Sequence, residues 1–335
     1  MKTIVLLLIF ISLACGDNIL KIATYNVENL FDLSPTGYKY KEYKPNTKSL
    51  WNKKNYKIKL QNIARVIRDI DADIIALQEV SSLQALKDLR YTLKQKGVYY
   101  PYFKIADKKP TAIKVAILSK IPFVYAKELQ VTSSYKYRNI LEVKFRINSA
   151  DLYMFVNHWK SKSGAESMRM LSAKKLIRRI DQIGDDKNII ILGDFNSDYE
   201  EYKIFKRKRK HNDTHGKTGI NHVLKTITQQ TDAKNTTYQK GSFYNLWYDT
   251  DKRNRYSYIF RRKKEALDNI IISQALLQKK NDITYIHNSI TNFTQAYLLK
   301  KKHIYRWQMS RGRVKKHKGK GYSDHLAVIA KFKVK

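Results

Sequence analysis

Two short segments of this 335-residue chain carry side chains that can move protons and hold cations: Gly193-Asp194-Phe195-Asn196 and Ser323-Asp324-His325. Each adjoins an apolar, β-branched run. Ile189-Ile190-Ile191-Leu192 leads into the first, and Ala327-Val328-Ile329-Ala330 follows the second. Runs of this length, rich in Ile and Val, read as buried strands. An acid, amide or imidazole at a strand end is held rigidly at the rim of a core, where acid–base and metal chemistry is built. Two such places in one chain point to a hydrolase rather than a plain binding domain.

The elements that position these groups follow from periodicity. Ile19–Tyr25 reads as an early strand. In residues 57–70, Leu60, Ile63, Ala64 and Ile67 fall at helical spacing, the mark of an amphipathic helix facing a core. Asp73–Leu77 reads as an apolar strand ending in Gln78-Glu79. Leu83, Leu86 and Leu93 mark a second helix, with Ser81 or Ser82 as its N-cap. Lys114–Leu118, Leu141–Ile147 and Leu152–Val156 read as strands. A third helix carries Ala173, Leu176, Ile177 and Ile180. Ile189–Leu192, Asn269–Ile272 and Leu326–Phe332 complete the strands. Strands outnumber helices and alternate with them irregularly, which predicts an α+β sandwich rather than a doubly wound parallel sheet. With 5 Pro, 12 Gly and no Pro/Gly/Ser-rich linker, residues 19–335 are expected to form one continuous domain.

Hydrophobic residues make up 43% of the chain, enough for a core. Lys and Arg number 66 against 29 acids, a formal charge of +37. A polyanion is the natural partner, either nucleic acid or an anionic membrane surface. Two basic runs flank the chemistry: Lys206-Arg207-Lys208-Arg209-Lys210 follows Asp194, and Arg311–Lys320 precedes Asp324. Tyr244, Trp247, Tyr248, Tyr256, Tyr258, Tyr305 and Trp307 lie among nearby basic residues. Cations for phosphates and rings for sugars or bases compose a nucleic-acid groove. At the N-terminus one positive charge precedes Ile4–Ile11, so residues 1–15 read as a signal peptide. Ser12-Leu13-Ala14 offers small residues before Cys15, the only cysteine. Cys15 is thus a candidate for lipidation and membrane attachment, with ordinary secretion as the alternative; both export the protein.

Six ordered segments carry a resemblance: Tyr25–Asp32 (YNVENLFD), Leu77-Gln78-Glu79-Val80, Val156-Asn157-His158-Trp159, Gly193–Asn196, Leu267-Asp268-Asn269-Ile270 and Ser323–His325. Together they resemble the motifs of the endonuclease/exonuclease/phosphatase superfamily. That superfamily includes deoxyribonuclease I, abasic-site endonucleases, inositol-phosphate 5-phosphatases and bacterial sphingomyelinases. The likeness runs from about Ile22 to Phe332. It implies a four-layered α/β/β/α sandwich of two mostly antiparallel sheets flanked by helices. It also implies phosphodiester hydrolysis with Mg2+, for which Mn2+ or Ca2+ can substitute.

By the same resemblance, Glu79, Asn26 and Asp324 form the metal environment, with Glu28 and Asn29 supporting Asn26. His325 is the catalytic histidine, oriented by Asp268. Asp194 positions or deprotonates the attacking water, and either Asp194 or His325 can serve as the base. Asn196 and His158 donate to the phosphate. Arg138 stands where a phosphate-contacting residue is expected. Arg169 either reaches a phosphate or caps a helix. His211, His215, His222 and His303 lack metal-site spacing and read as surface histidines.

Charge, flanking basic runs and interleaved aromatics favour a secreted nuclease, with DNA endonuclease first and a monomer expected. The alternatives are a phospholipid-headgroup phosphodiesterase or phosphatase, such as a sphingomyelinase or inositol-lipid phosphatase, and a non-catalytic polyanion-binding surface protein. All six motifs are present, which argues against the last.

Overall fold

The computed structural model describes residues 18–37, 39–205, 211–227, 241–278 and 281–335. The chain opens with β1 (Asn18–Leu30), α1 (Lys53–Ile70), β2 (Ile74–Val80), α2 (Leu83–Gln95), β3 (Tyr102–Ile105) and β4 (Lys114–Ser119). Next come β5 (Phe123–Leu129), β6 (Ile140–Ile147), β7 (Ala150–His158), α3 (Glu166–Ile183), β8 (Asn188–Asp194) and the single turn α4 (Glu201–Ile204). The last third is built from β9 (Phe243–Asn245), β10 (Tyr258–Phe260), β11 (Lys263–Glu265), β12 (Asp268–Ser273) and β13 (Ile283–Tyr285). Three short strands, β14 (Thr291–Asn292), β15 (Leu299–Lys300) and β16 (His303–Ile304), precede β17 (Val328–Val334).

Two large sheets result. One runs β13-β17-β1-β2-β4-β3, with β14 also on β17; the other runs β5-β6-β7-β8-β12-β9. Each has one parallel pair, β1 with β2 and β7 with β8, and its other pairs are antiparallel. A parallel pair needs a crossover, and the long helices α1 and α3 supply the two.

The central strands are buried on both faces, which is why they read as unbroken apolar runs. Ile190 and Leu192 of β8 point into the core between the sheets with Ile22, Ile74 and Ile270, while Ile189 and Ile191 face α3 residues Ala173, Leu176 and Ile180. On the other sheet Ala23, Ile75 and Leu77 face α1 and α2. The layers are therefore helix, sheet, sheet, helix, the expected α/β/β/α sandwich. Burying each Ile or Leu contributes about 1.5–3 kcal/mol before chain entropy is set against it.

Side-chain caps fix the starts of α1 and α2. Asn52 accepts from the Asn55 amide at 3.1 Å, and Ser82, one of the two expected caps, accepts from Ala85 at 3.1 Å. The edge strands β3 and β5 and the short pieces β9–β11 and β13–β16 are additions to the sequence reading. β5 is half-buried along most of its length, so it lacks the apolar run that marks a central strand.

Gly193 of β8 lies directly against Asn157 of β7. Its φ is +132°, and a Cβ there would lie 2.0 Å from the Asn157 carbonyl oxygen. Gly193→Ala is expected to cost about 3 kcal/mol or more and to lower Tm by several degrees. Thermal unfolding checks this; an unchanged Tm would mean that the two strands can separate freely.

Candidate active site

The strand ends deliver the groups. In the second sheet the register sets His158 opposite Asp194 and Asp268 opposite Asp194, so three candidates stand in one row at one edge. Asn26 lies near the end of β1, opposite Gln78 of β2. Ser323 donates to the Asn26 carbonyl at 2.6 Å and accepts from the His325 amide at 3.1 Å, which docks the Ser-Asp-His segment onto β1.

Glu79 is placed by a device that alternation alone does not show. β2 continues through it to Val80, but its register slips between Gln78 and Val80, as that of β1 does between Asn26 and Leu30. Glu28, Asn29 and Glu79 all have left-handed φ, at 50°, 59° and 66°. Such bulges re-aim side chains, and left-handed non-glycine residues cost about 1–3 kcal/mol each and gather at functional sites. The Asn29 amide donates to Glu79 Oε2 at 2.9 Å and thereby ties the two bulges together.

The core of the site is a hydrogen-bonded set. His325 Nδ1 lies 2.6 Å from Asp268 Oδ2, while His325 Nε2 is 4.0 Å from Asp324 Oδ1, beyond hydrogen-bond range. Asn26 Nδ2 donates to Asp194 Oδ2 at 3.0 Å, and the Asn196 amide donates to Asp194 Oδ1 at 2.8 Å. His158 Nε2 is 3.5 Å from Asp194 Oδ2 and 3.8 Å from Glu79 Oε1. Asn196 Nδ2 reaches the Trp159 carbonyl at 3.3 Å, and Arg138 Nη1 reaches the same oxygen at 3.0 Å. His325, Asp268, Asp194, His158, Asn196, Glu79, Asn26, Asp324 and Arg138 thus converge on one cluster at the strand ends.

Burial sets the protonation pattern. Burial pushes Asp194 up to about 7, with Asp268 adding to the shift. Burial lowers His158 well below the ordinary histidine value, and the positive charges of Arg138 and His325 act in the same direction. For His325 burial is overcome: the Asp268 carboxylate and its hydrogen bond raise it well above 6.5. The site therefore holds a neutral His158 and a protonated His325, side by side with different tasks open to them. Burial raises Glu79, and the Asp324 carboxylate raises it further.

Part of the expected set lies elsewhere. Arg169 is a brace, not a substrate contact. It is buried in α3, with Nε on Glu166 at 2.6 Å and Nη1 on the carbonyls of Lys160, Ser161 and Gly164. It ties together the loop that follows β7, which is neither of the two expected roles, a phosphate contact or a helix cap. Lys206, Arg207, Lys208, Arg209 and Lys210 lie outside the described residues, as do Cys15 and the signal segment. The second basic run is an exposed loop pinned by one buried residue. His317 accepts from Trp307 Nε1 at 2.8 Å, and its own amide donates to the Ser49 carbonyl at 2.8 Å. Among the aromatics expected in a groove, Tyr244, Trp247, Tyr256 and Trp307 are core residues. His215, His222 and His303 are exposed and His211 is half-buried.

The sequence reading missed Arg306. Its guanidinium pairs with Glu28, and its Nη2 lies 3.1 Å from Asp324 Oδ2. It thus clamps Asp324 to the bulge of β1. The only signal in the sequence was its place just before the basic run.

One family model matches residues 21–334 as a whole, that of the endonuclease/exonuclease/phosphatase family. The chain belongs to that family, a class of phosphoester hydrolases that generally depend on a divalent metal. No curated protein matches the sequence. Among solved structures, D. rerio TDP2, humanized by 14 mutations, is similar at a TM-score of 0.58 and 15% identity, over 94% of this chain and 98% of that one. D. rerio TDP2 with a single-strand DNA product has a TM-score of 0.58 at 15% identity, over 94% and 99%. A Bacteroides thetaiotaomicron mannosyl-6-phosphatase has a TM-score of 0.55 at 15% identity, over 93% and 99%.

The donor set fits a hard cation. Glu79, Asp324 and the Asn26 amide offer oxygen, and Glu79 is raised by burial first and by the neighbouring Asp324 carboxylate second, against the opposing pull of His325 and Arg138. Asp194, Asp268 and His325 also bring donor atoms within 4.8 Å of one another, but His325 Nδ1 is already committed to Asp268.

Proposed function

We propose that the protein is an exported, Mg2+-dependent nuclease that hydrolyses phosphodiester bonds, with DNA as first substrate and an endonucleolytic mode. The observation that carries this reading is the Asp268–His325 pair, 2.6 Å apart, set beside Asp194 in a chain of net charge +37. A phosphate diester flanked by further phosphates is the substrate such a charge would gather. The TDP2 structure with a single-strand DNA product supports nucleic acid as the substrate class. The apolar segment before Cys15 supports export, by lipid attachment at Cys15 or by ordinary secretion, and the high net charge favours a monomer.

In this mechanism Glu79, Asp324 and Asn26 would hold the cation, which would supply charge neutralisation at the scissile phosphate. Asp194, pushed up to about 7, takes the proton of the attacking water. Asp268 holds His325 through Nδ1, which leaves Nε2 free to donate toward a phosphate or departing oxygen. Neutral His158, Asn196 and Arg138 donate to the non-bridging oxygens.

Purified protein with Mg2+ is tested in parallel on supercoiled plasmid, single-stranded RNA, sphingomyelin vesicles and mannose 6-phosphate, with His325→Ala as control. Metal-dependent nicking that the control loses is expected. Intact nucleic acid alongside hydrolysed sphingomyelin or sugar phosphate would overturn the reading. DNA affinity should fall at least about tenfold between about 50 and about 200 mM salt. A salt-independent constant would count against phosphate-led binding.

A further inference from the structure

Beside His325 stands a hairpin that none of the motifs includes. Tyr258 of β10 forms an isolated antiparallel bridge with His325, and the two rings lie 4.8 Å apart at 38°. Phe260, two residues on and so on the same face of the strand, lies 6.4 Å from Tyr258 at 12°. Two rings thus step outward from the imidazole. The last of them, Phe260, is 52% exposed.

The turn that follows is built against its own preference. Arg261 and Arg262 join β10 to β11 with φ of 47° and 67°. A two-residue turn with both φ positive favours Asn-Gly, and here it holds two arginines. The neighbouring β15–β16 hairpin repeats the choice, with Lys301 and Lys302 at 49° and 64°. β16 packs against β10, so the two cationic turns belong to adjacent hairpins. The base of the first hairpin is firm: Ile259 packs on the helix-side core, and Glu265 pairs with Lys162 at 3.0 Å.

We propose that the paired hairpins form a track for an unpaired nucleic-acid strand. Phe260 stacks one base beside the scissile phosphate, and Arg261, Arg262, Lys301 and Lys302 take flanking phosphates. The inference rests on the nuclease reading and adds a substrate class to it: single strands and frayed ends are preferred over intact duplex. A base inside a duplex already has both faces covered, so an exposed phenyl ring can stack only on a base that is free. The ring has no polar group with which to read a groove edge, so the track is tolerant of sequence. Both turns carry charges at their tips, where a membrane-inserting hairpin would carry apolar residues.

The test compares wild type, Phe260→Ala and Phe260→Trp on a single-stranded oligonucleotide, its duplex and bis(p-nitrophenyl) phosphate, all with Mg2+. Wild type should show the lower KM on the single strand. Phe260→Ala should raise that KM about tenfold, leave the small diester unchanged, and be rescued by Trp. An unchanged single-strand KM in Phe260→Ala would overturn the track while leaving the nuclease intact. Loss in that variant of binding to phosphatidylserine vesicles, with single-strand cleavage unaffected, would assign the hairpin to a membrane instead. Wild type that hydrolyses the small diester but no nucleic acid would sink the nuclease reading itself.

Discussion

Asp268→Asn is expected to lower kcat by about 10²- to 10⁴-fold with little change in KM, because it removes the group that orients and charges His325. The two side chains meet at 2.6 Å, and Asp268 carries the largest share of what raises His325 against the opposing cost of burial. The pH profile is the more discriminating readout. In the wild type the acid limb should fall near 7, where buried Asp194 gives up its proton, and the alkaline limb well above 6.5, where His325 does. In Asp268→Asn the alkaline limb moves down, since burial then meets only the smaller pull of the Asp194 and Asp324 carboxylates.

Stability follows the same linkage. A histidine whose folded value is raised contributes stability that is full below about 6.5 and is lost as pH rises through the folded value. The Tm gap between wild type and Asp268→Asn should therefore be widest in mild acid and narrow as the solution becomes alkaline. An Asp268→Asn enzyme with wild-type kcat and an unmoved alkaline limb would remove His325 from the chemistry. A falling kcat with an unmoved limb would mean that Asp268 acts by packing alone.

This pairing shows what the sequence could and could not disclose. Asp268 and His325 are each first in line beside an apolar run, at the start of β12 and just ahead of β17; the strand end marked His325, and the motif resemblance added Asp268. Likewise the strand end marked Asp194 and the resemblance added His158, the last residues of β8 and β7. Central strands buried on both faces announce themselves, and the groups at their ends come with them. Glu79 was legible as a residue but not as a geometry: a strand read as ending at Leu77 runs on to Val80, and the intervening bulge breaks the two-residue period that sequence reading relies on. Arg306 was illegible for another reason. Its partner Glu28 is 278 positions away, and no local pattern records a contact that long in sequence. Phe260 was overlooked because nearby Tyr and Trp residues drew the reading, and several of those proved to be core. Composition reports how many rings a segment holds; which of them face water is decided by packing.

Glu79→Gln separates function from stability in opposite directions. The amide keeps the volume and can still accept from Asn29, which now donates to Oε2 at 2.9 Å, so the bulge should survive. The charge is lost, and with it the strongest ligand for a hard cation. A fall of about 10³-fold in kcat is expected, with half-maximal activity requiring about 10- to 100-fold more Mg2+. The metal-free protein should behave differently. Burial and the Asp324 carboxylate both raise Glu79 above its usual 4.5. An acid raised in this way costs the folded state stability at every pH above its unfolded value, because the folded protein resists the ionised form. Glu79→Gln should therefore melt at or above the wild-type temperature in EDTA at neutral pH. Added Mg2+ should raise the wild-type Tm by mass action and leave the variant nearly unmoved. Full activity in the variant, or an equal metal-induced rise in Tm, would take Glu79 out of the cation site. A variant less stable than wild type in EDTA would show that the carboxylate is held there for the fold, with Asn29 as its reason.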